Sequence, residues 1–300
     1  MTLPNFLIIG AAKSGTTAIY TYIKQHPQIF MSEMKELRYF SYVQDPVLQP
    51  PKDYIHPSIT TLDEYENHFK SVTNEVVIGE SSPTYLYTPG TAERIKAVIP
   101  DAKLFAILRN PIDRAYSAYT HALREWKEPA GSFSLALREE ESRIAAGYGM
   151  LWHYKRAGLY HQQLMRFFNT FDKNKIKIVL YDDLVSNTNE LLVEIFRFLE
   201  VDDKFQPDTS RRPNVSGFPK SERFHLFLKM IFIHDNPIKR LSRVVFPKKL
   251  RRNVMESVRS QNLEKRAMPE EIRKELSAYY QEEIQLLEEL LCRDLSHWIG

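Results

Sequence analysis

The stretch FLIIGAAKSGTTAIYTYI at 6–23 leaves this chain few folds to choose from. An unbroken apolar run at 6–9 ends in a loop that carries Gly10 and Gly15, and a helix is expected to begin near Gly15. A strand that is apolar on both faces must be covered on both sides, as in a parallel sheet between layers of helices. The spacing of Gly10 and Gly15 is that of a loop whose backbone N–H groups, with the N-terminus of the next helix, cradle anionic oxygens. The lysine is displaced, because Thr16 and Thr17 follow Gly15 while Lys13 precedes it. A nucleotide triphosphatase carries lysine directly after the second glycine. The arrangement here suits a nucleotide whose leaving bond lies close to its first phosphate, without the triphosphate tail that brings Mg²⁺.

Further apolar runs at 76–78, 104–108 and 176–180 predict more strands of the same sheet. Asn110 and Pro111 open a helix as N-cap and first helical residue, with Ile112, Ala115, Tyr116, Tyr119, Leu123 and Trp126 as its apolar stripe. Asn187 caps another, packing Leu191, Ile195, Phe196 and Leu199. Pro269 starts a long last helix with Glu270 and Glu271 in its first turn and Ile272, Leu276, Tyr279, Leu287 and Leu291 inward. These elements predict an α/β, P-loop-like three-layer fold with a central, mainly parallel sheet flanked by helices. With 300 residues and 43% hydrophobic content, one domain over 1–300 is expected. Irregular stretches at 44–58 and 206–221 are candidate walls of a site, and 206–300 is expected to complete it.

A formal charge of +3 and a pI near 8.7 fit binding of anionic nucleotides but are too weak a bias for packaging nucleic acid. Cys292 is the only cysteine, which excludes an intrachain disulfide and points to a reducing compartment. No signal-peptide pattern precedes the first strand, and the apolar stretch at 224–233 is short and contains His225 and Lys229, so a soluble, cytoplasmic protein is expected. The basic run at 239–253, with Lys239, Arg240, Arg243, Lys248, Lys249, Arg251 and Arg252, is either a solvated surface or a dock for an anionic glycan, an acyl carrier protein or a membrane surface. No motif for reading nucleic-acid bases accompanies it. No HxxxH, CxxC or acidic metal cluster is present, so no metal is expected, and no GxSxG supports covalent catalysis.

Arg109 ends a buried strand, where ligands of doubly wound sheets bind. On the helix that follows, Asp113, Ser117, His121 and Arg124 recur at i, i+4, i+8 and i+11 and share the polar face, Asp113 complementing the helix dipole. Arg109 and Ser117 are placed to converge on one phosphate. At this point the sequence resembles a known family. IIGAAKSGTTAIY resembles the 5′-phosphosulfate-binding motif, and ILRNPIDRAYSAY the 3′-phosphate-binding motif, of sulfotransferases that use PAPS (3′-phosphoadenosine 5′-phosphosulfate). The resemblance is to the branch with the heparan sulfate N- and 3-O-sulfotransferase domains and their bacterial relatives. It extends to KELRYF, GESSPTYL, AGLYHQQLMRFF, KIKIVLYDDL and DLSHW.

The resemblance implies transfer of a sulfuryl group from PAPS to a hydroxyl or amine of a saccharide, small natural product or carrier-bound acceptor, releasing adenosine 3′,5′-bisphosphate (PAP). It implies that Lys13 binds the 5′-phosphate and bridging oxygen within a loop of Ala12, Ser14, Gly15, Thr16 and Thr17, and that Arg109 and Ser117 grip the 3′-phosphate. Glu36, ahead of an aromatic pair, would be the base; its alternative is an ion pair with a lysine such as Lys35. His121 would serve the reaction centre, or else be a helix-face histidine bonded to a loop. Glu80 is read as structural or acceptor-orienting. Arg211, Arg212 or Lys220 would close over the nucleotide. Two departures stand out: Ser81 occupies a position where heparan-type enzymes often carry lysine, and the disulfide that clamps their covering loop has no second cysteine here. The alternative reading, a P-loop nucleotide kinase or triphosphatase, has Thr16 where its lysine should stand.

Overall fold

Strand side chains alternate between faces, and here both faces meet a hydrophobic layer. In the computed structural model, which describes residues 2–42, 59–210, 217–221, 263–264 and 266–299, the sheet comprises β1 (Phe6–Gly10), β2 (Ile29–Met31), β3 (Val77–Ser81), β4 (Lys103–Leu108) and β5 (Ile176–Leu180). Their order is β2-β3-β1-β4-β5, and every pairing is parallel. Leu7, Ile9, Leu104, Ala106 and Leu108 face one core, shared with Ile112, Ala115 and Tyr119 of the Pro111–Arg124 helix and with Leu276, Tyr280, Ile284 and Leu287 of the Glu270–Leu291 helix. Phe6, Ile8, Phe105, Ile107 and Val179 face the other, shared with Ile19 and Ile23 of the Thr16–Ile23 helix and with Leu191, Ile195, Phe196 and Leu199 of the Thr188–Leu199 helix. Each such side chain contributes about 1.5–3 kcal/mol by leaving water, so two filled faces lock the strand register.

The expected strand at 76–78 begins one residue later, with Val76 57% exposed, and runs on to Ser81. Strand β2 was not anticipated, because three residues carry too little periodicity to register. The capping expectations hold: the Asn110 side chain accepts from the Ile112 N–H, and the Asn187 side chain from that of Glu190. Two side-chain assignments are corrected. Tyr280 rather than Tyr279 turns inward, since 276, 280, 284 and 287 follow the helical period; Tyr279 is 44% exposed. The Pro111–Arg124 helix ends before Trp126, whose φ of 56° puts it in a left-handed turn.

Residues 206–210 are irregular as expected, and β6 (Phe218–Pro219) pairs antiparallel with β7 (Leu263–Glu264). Expectations for 44–58, for Arg211 and Arg212, for the apolar stretch at 224–233 and for the basic run at 239–253 lie outside the described residues. Among the described residues no helix is long and apolar enough to cross a membrane.

Candidate active site at the carboxyl edge of the sheet

Because all five strands run the same way, the loops after β1, β3 and β4 open on one edge, the side on which open α/β sheets bind ligands. The loop after β1 is held by close packing. A Cβ on Gly10 would lie 2.6 Å from the Leu86 Cβ, and Gly15 combines a φ of +101° with a neighbour, Leu184 Cδ2, 2.9 Å from where its Cβ would be. Only glycine meets both conditions at 15. Gly15 is the N-cap of the Thr16–Ile23 helix without a side chain to cap it, so the first amide N–H groups are left to an external acceptor. Ser14 is fully buried, and its Oγ has no hydrogen-bond partner in the fold.

Lys13 stands in this loop with a φ of 71°, half-buried. Burial pushes its ammonium down to about 7, helped by Arg124 and Arg109 and opposed by Glu36 and Glu125. A lysine titrating there gains charge when an anion arrives. Arg109, just past β4, stacks its guanidinium 4.8 Å from the centre of the Tyr181 ring, and that ring also flanks Gly15. Tyr181 therefore joins the phosphate loop to Arg109.

The polar face of the Pro111–Arg124 helix does not point to open solvent. Ser117 is 8% exposed, and Arg114 beside it is buried, donating to the Tyr154 carbonyl. Asp113 does more than complement the dipole; Arg273 of the last helix pairs with it at 2.7 Å. His121 is pushed down to about 2 by burial, then by Lys13, Arg124 and Lys127, partly offset by Glu36, so it is neutral near pH 7. Its Nδ1 lies 3.3 Å from Arg124 Nη2. A guanidinium only donates, so Nδ1 accepts and the ring proton sits on Nε2. His121 thus presents a donor.

Glu36 reaches the same centre from the loop after β2. Its carboxylate pairs with Lys35 at 3.3 Å, the alternative weighed from sequence, and also with Arg38. Burial raises its carboxyl, but Lys35 and Arg38 outweigh that and hold it at about 2. Lys13 and His121 both feel its charge. Glu80 is buried at the end of β3, and burial lifts it to about 7 against hydrogen bonds from Tyr85, Ser82 and Tyr65, with Glu36 adding to the rise. Lys220 is exposed; it follows Phe218, whose ring packs 5.8 Å from that of Tyr116. Among the described residues no group of three His, Cys, Asp or Glu is arranged for a metal.

The structure thus brings Lys13, Glu36, Arg109 and His121 together, and adds Arg124, Glu125, Arg38 and Tyr181, which sequence reasoning did not place in the site. The spacing of His121 and Arg124 marked the pair as neighbours on the helix, and Tyr181 sits directly at the carboxyl end of β5.

Comparison with known proteins identifies the family and the fold. A profile of the sulfotransferase family matches residues 4–206. The crystal structure of a sulfotransferase from Alicyclobacillus acidocaldarius superposes with a TM-score of 0.77 at 31% identity, covering 100% of both chains. The membrane-associated sulfotransferase kil1 of Dictyostelium discoideum is 35% identical over 126 residues, 42% of this chain and 24% of kil1. The bifunctional heparan sulfate N-deacetylase/N-sulfotransferase 1 of Caenorhabditis briggsae is 27% identical over 236 residues, 75% of this chain and 25% of that protein. The chain spans only about a quarter of the length of these two relatives.

Proposed function

The chain belongs to the sulfotransferase family, and on that premise we propose that it moves the sulfuryl group of PAPS to a hydroxyl or amine of an acceptor by direct in-line transfer, releasing PAP. The observation that carries this reading is that Lys13, in the loop after β1, lies within electrostatic reach of both Arg109 and Glu36. The loop fits a phosphate: the uncapped helix start, the unpartnered buried Ser14 Oγ and the Gly15 conformation all suit an anion seated against the backbone.

PAPS supplies a sulfur bonded to a phosphate that leaves readily. Amides at Gly15, Thr16 and Thr17 hold that 5′-phosphate, and the Lys13 ammonium neutralises the charge that builds on it as the sulfur–oxygen bond breaks. Arg109, supported by Tyr181, holds the 3′-phosphate together with Ser117, which fixes the nucleotide at both ends. On the acceptor side, the attacking oxygen or nitrogen forms the new bond to sulfur and passes its proton to Glu36. Lys35 and Arg38 keep Glu36 ionised. Neutral His121, with its proton on Nε2, donates a hydrogen bond toward the transferring group rather than taking a proton. Lys220 adds positive charge at the open side of the nucleotide.

The family likeness to an enzyme named for heparan sulfate favours a saccharide acceptor, with small natural products and carrier-bound alcohols as the other classes. The test is transfer of radiolabelled sulfate from PAPS into a panel of oligosaccharides, phenols, amines and carrier-bound alcohols, alongside thermal shift with nucleotides. Labelled product and stabilisation by PAP without added metal are expected. Stabilisation by ATP–Mg²⁺ but not by PAP would overturn the reading in favour of a nucleotide kinase or triphosphatase.

A further inference from the structure

The segment 36–40 is tied at every second amide to the end of β3 and the residues that follow it. The Glu36 N–H donates to the Ser81 carbonyl at 2.9 Å, the Arg38 N–H to the Ser82 Oγ at 2.9 Å and the Phe40 N–H to the Tyr85 hydroxyl at 3.4 Å. The second and third acceptors are hydroxyls, and each has a single proton to place. Ser82 donates its own to Glu80 Oε2 at 2.7 Å, and Tyr85 donates to Glu80 Oε1 at 2.5 Å, where Tyr65 also donates at 3.2 Å. The ionised Glu80 carboxylate, fully buried, therefore accepts hydrogen bonds from three hydroxyls. With their protons committed, the Ser82 and Tyr85 oxygens have only lone pairs left to offer to the backbone of the segment.

That segment needs such a hold. Glu36 has a φ of 67° and Arg38 a φ of 57°, left-handed conformations that cost non-glycine residues free energy and persist only where neighbours enforce them. Arg38 is the connection to chemistry, because its amide is fixed by Ser82 while its guanidinium grips the Glu36 carboxylate. We propose that Glu80 is a positioning residue that sets the place and charge of the Glu36 carboxylate through Ser82, Tyr85 and the backbone at Arg38 and Phe40. The proposal rests on the reading of Glu36 as proton acceptor for its meaning in the reaction, though not for its geometry.

The test is the carboxyl ¹³C NMR resonance of Glu36 in the intact chain at pH 8, where Glu80 is ionised, the resonance assigned by its loss in Glu36→Gln. The titratable groups around Glu36 are Lys35 and Arg38 beside it, Lys13 from the phosphate loop, the neutral His121 of the Pro111–Arg124 helix, and Glu80. In the wild type the resonance is that of a carboxylate paired with Lys35 and Arg38. Ser82→Ala removes one acceptor and leaves Glu80 bonded to both tyrosines. Its Glu36 resonance is expected to move by more than its line width from the wild-type position as Arg38 loses its anchor, while PAP affinity by calorimetry stays within about twofold of wild type, since no phosphate-holding residue is touched. Ser82→Thr, which keeps the hydroxyl, restores the wild-type position. Glu80→Gln, whose amide turns donors toward donors, shows a displacement like that of Ser82→Ala; if it does not fold, the two Ser82 variants decide alone.

An unchanged Glu36 resonance in Ser82→Ala overturns the proposal, as does a displacement that Ser82→Thr fails to reverse. Failure of the underlying functional reading looks different. It would appear as undiminished sulfate transfer by Glu36→Gln, whatever the resonance shows.

Discussion

The two halves of the site rest on different kinds of structure. The nucleotide half, from Gly10 to Thr17 with Arg109, is built mainly from main chain: a left-handed glycine, an uncapped helix start and one strand end. The acceptor half, around Glu36, is held by side chains drawn from three separate stretches, with Glu80, Ser82, Tyr85 and Tyr65 supporting a left-handed turn. Main-chain geometry is specified locally and tolerates change in side chains that do not touch the ligand. A relay of buried hydroxyls fails at any one link, because an unpaired buried polar group costs about 1–3 kcal/mol. The comparison teaches that cofactor binding and proton transfer in this chain should be separable by mutation.

The largest effect expected is on the acceptor half. Glu36→Gln should lower kcat by about 10²–10⁴-fold, the usual contribution of a positioned base, with PAP affinity changed far less; a parallel loss of PAP binding of the same size would break the separation. Next comes Lys13→Ala, expected to lower kcat by about 10²–10³-fold, as for loss of one transition-state charge partner. Single-turnover measurement with saturating PAPS isolates that chemical step. Arg109→Ala should weaken PAP by about 10–100-fold, the value of a charge-assisted hydrogen bond of roughly 1.5–3 kcal/mol.

The pH dependence sharpens the same division. Burial holds the Lys13 ammonium at about 7, and a bound phosphate raises that value. Between the two values binding takes up a proton, so PAP affinity should fall by up to about tenfold per pH unit above pH 7, and Lys13→Met should flatten the profile. The smallest effect is expected from Tyr181→Leu, which removes the ring beneath Arg109 and should cost about 2–5-fold in PAP affinity, consistent with a partly exposed cation–π contact.

The sequence made the nucleotide half legible because its determinants are contiguous: four apolar runs, two glycines at fixed spacing, and Asn110 before Pro111. Glu36 was visible only through likeness to a motif, and its ion pair with Arg38 was not anticipated, since a left-handed turn at two non-glycine residues has no local signature. The Glu80 network was hidden for the same reason. Its tyrosines stand at 65 and 85, and only the fold brings their hydroxyls onto one carboxylate. Periodicity put Ser117 on the polar face of its helix without showing that this face is covered, because the last helix and the Tyr154 region that pack on the helix are distant in sequence.

The central claim is that one sheet edge holds a nucleotide by both ends, with the 5′-phosphate in the Lys13 loop and the 3′-phosphate at Arg109. Calorimetric titration of the wild type and Arg109→Ala with PAP and with AMP, which lacks the 3′-phosphate, tests it most directly. The account expects Arg109→Ala to weaken PAP to about the affinity of AMP while leaving AMP itself unchanged; equal weakening of both nucleotides, or no weakening of PAP, would contradict it.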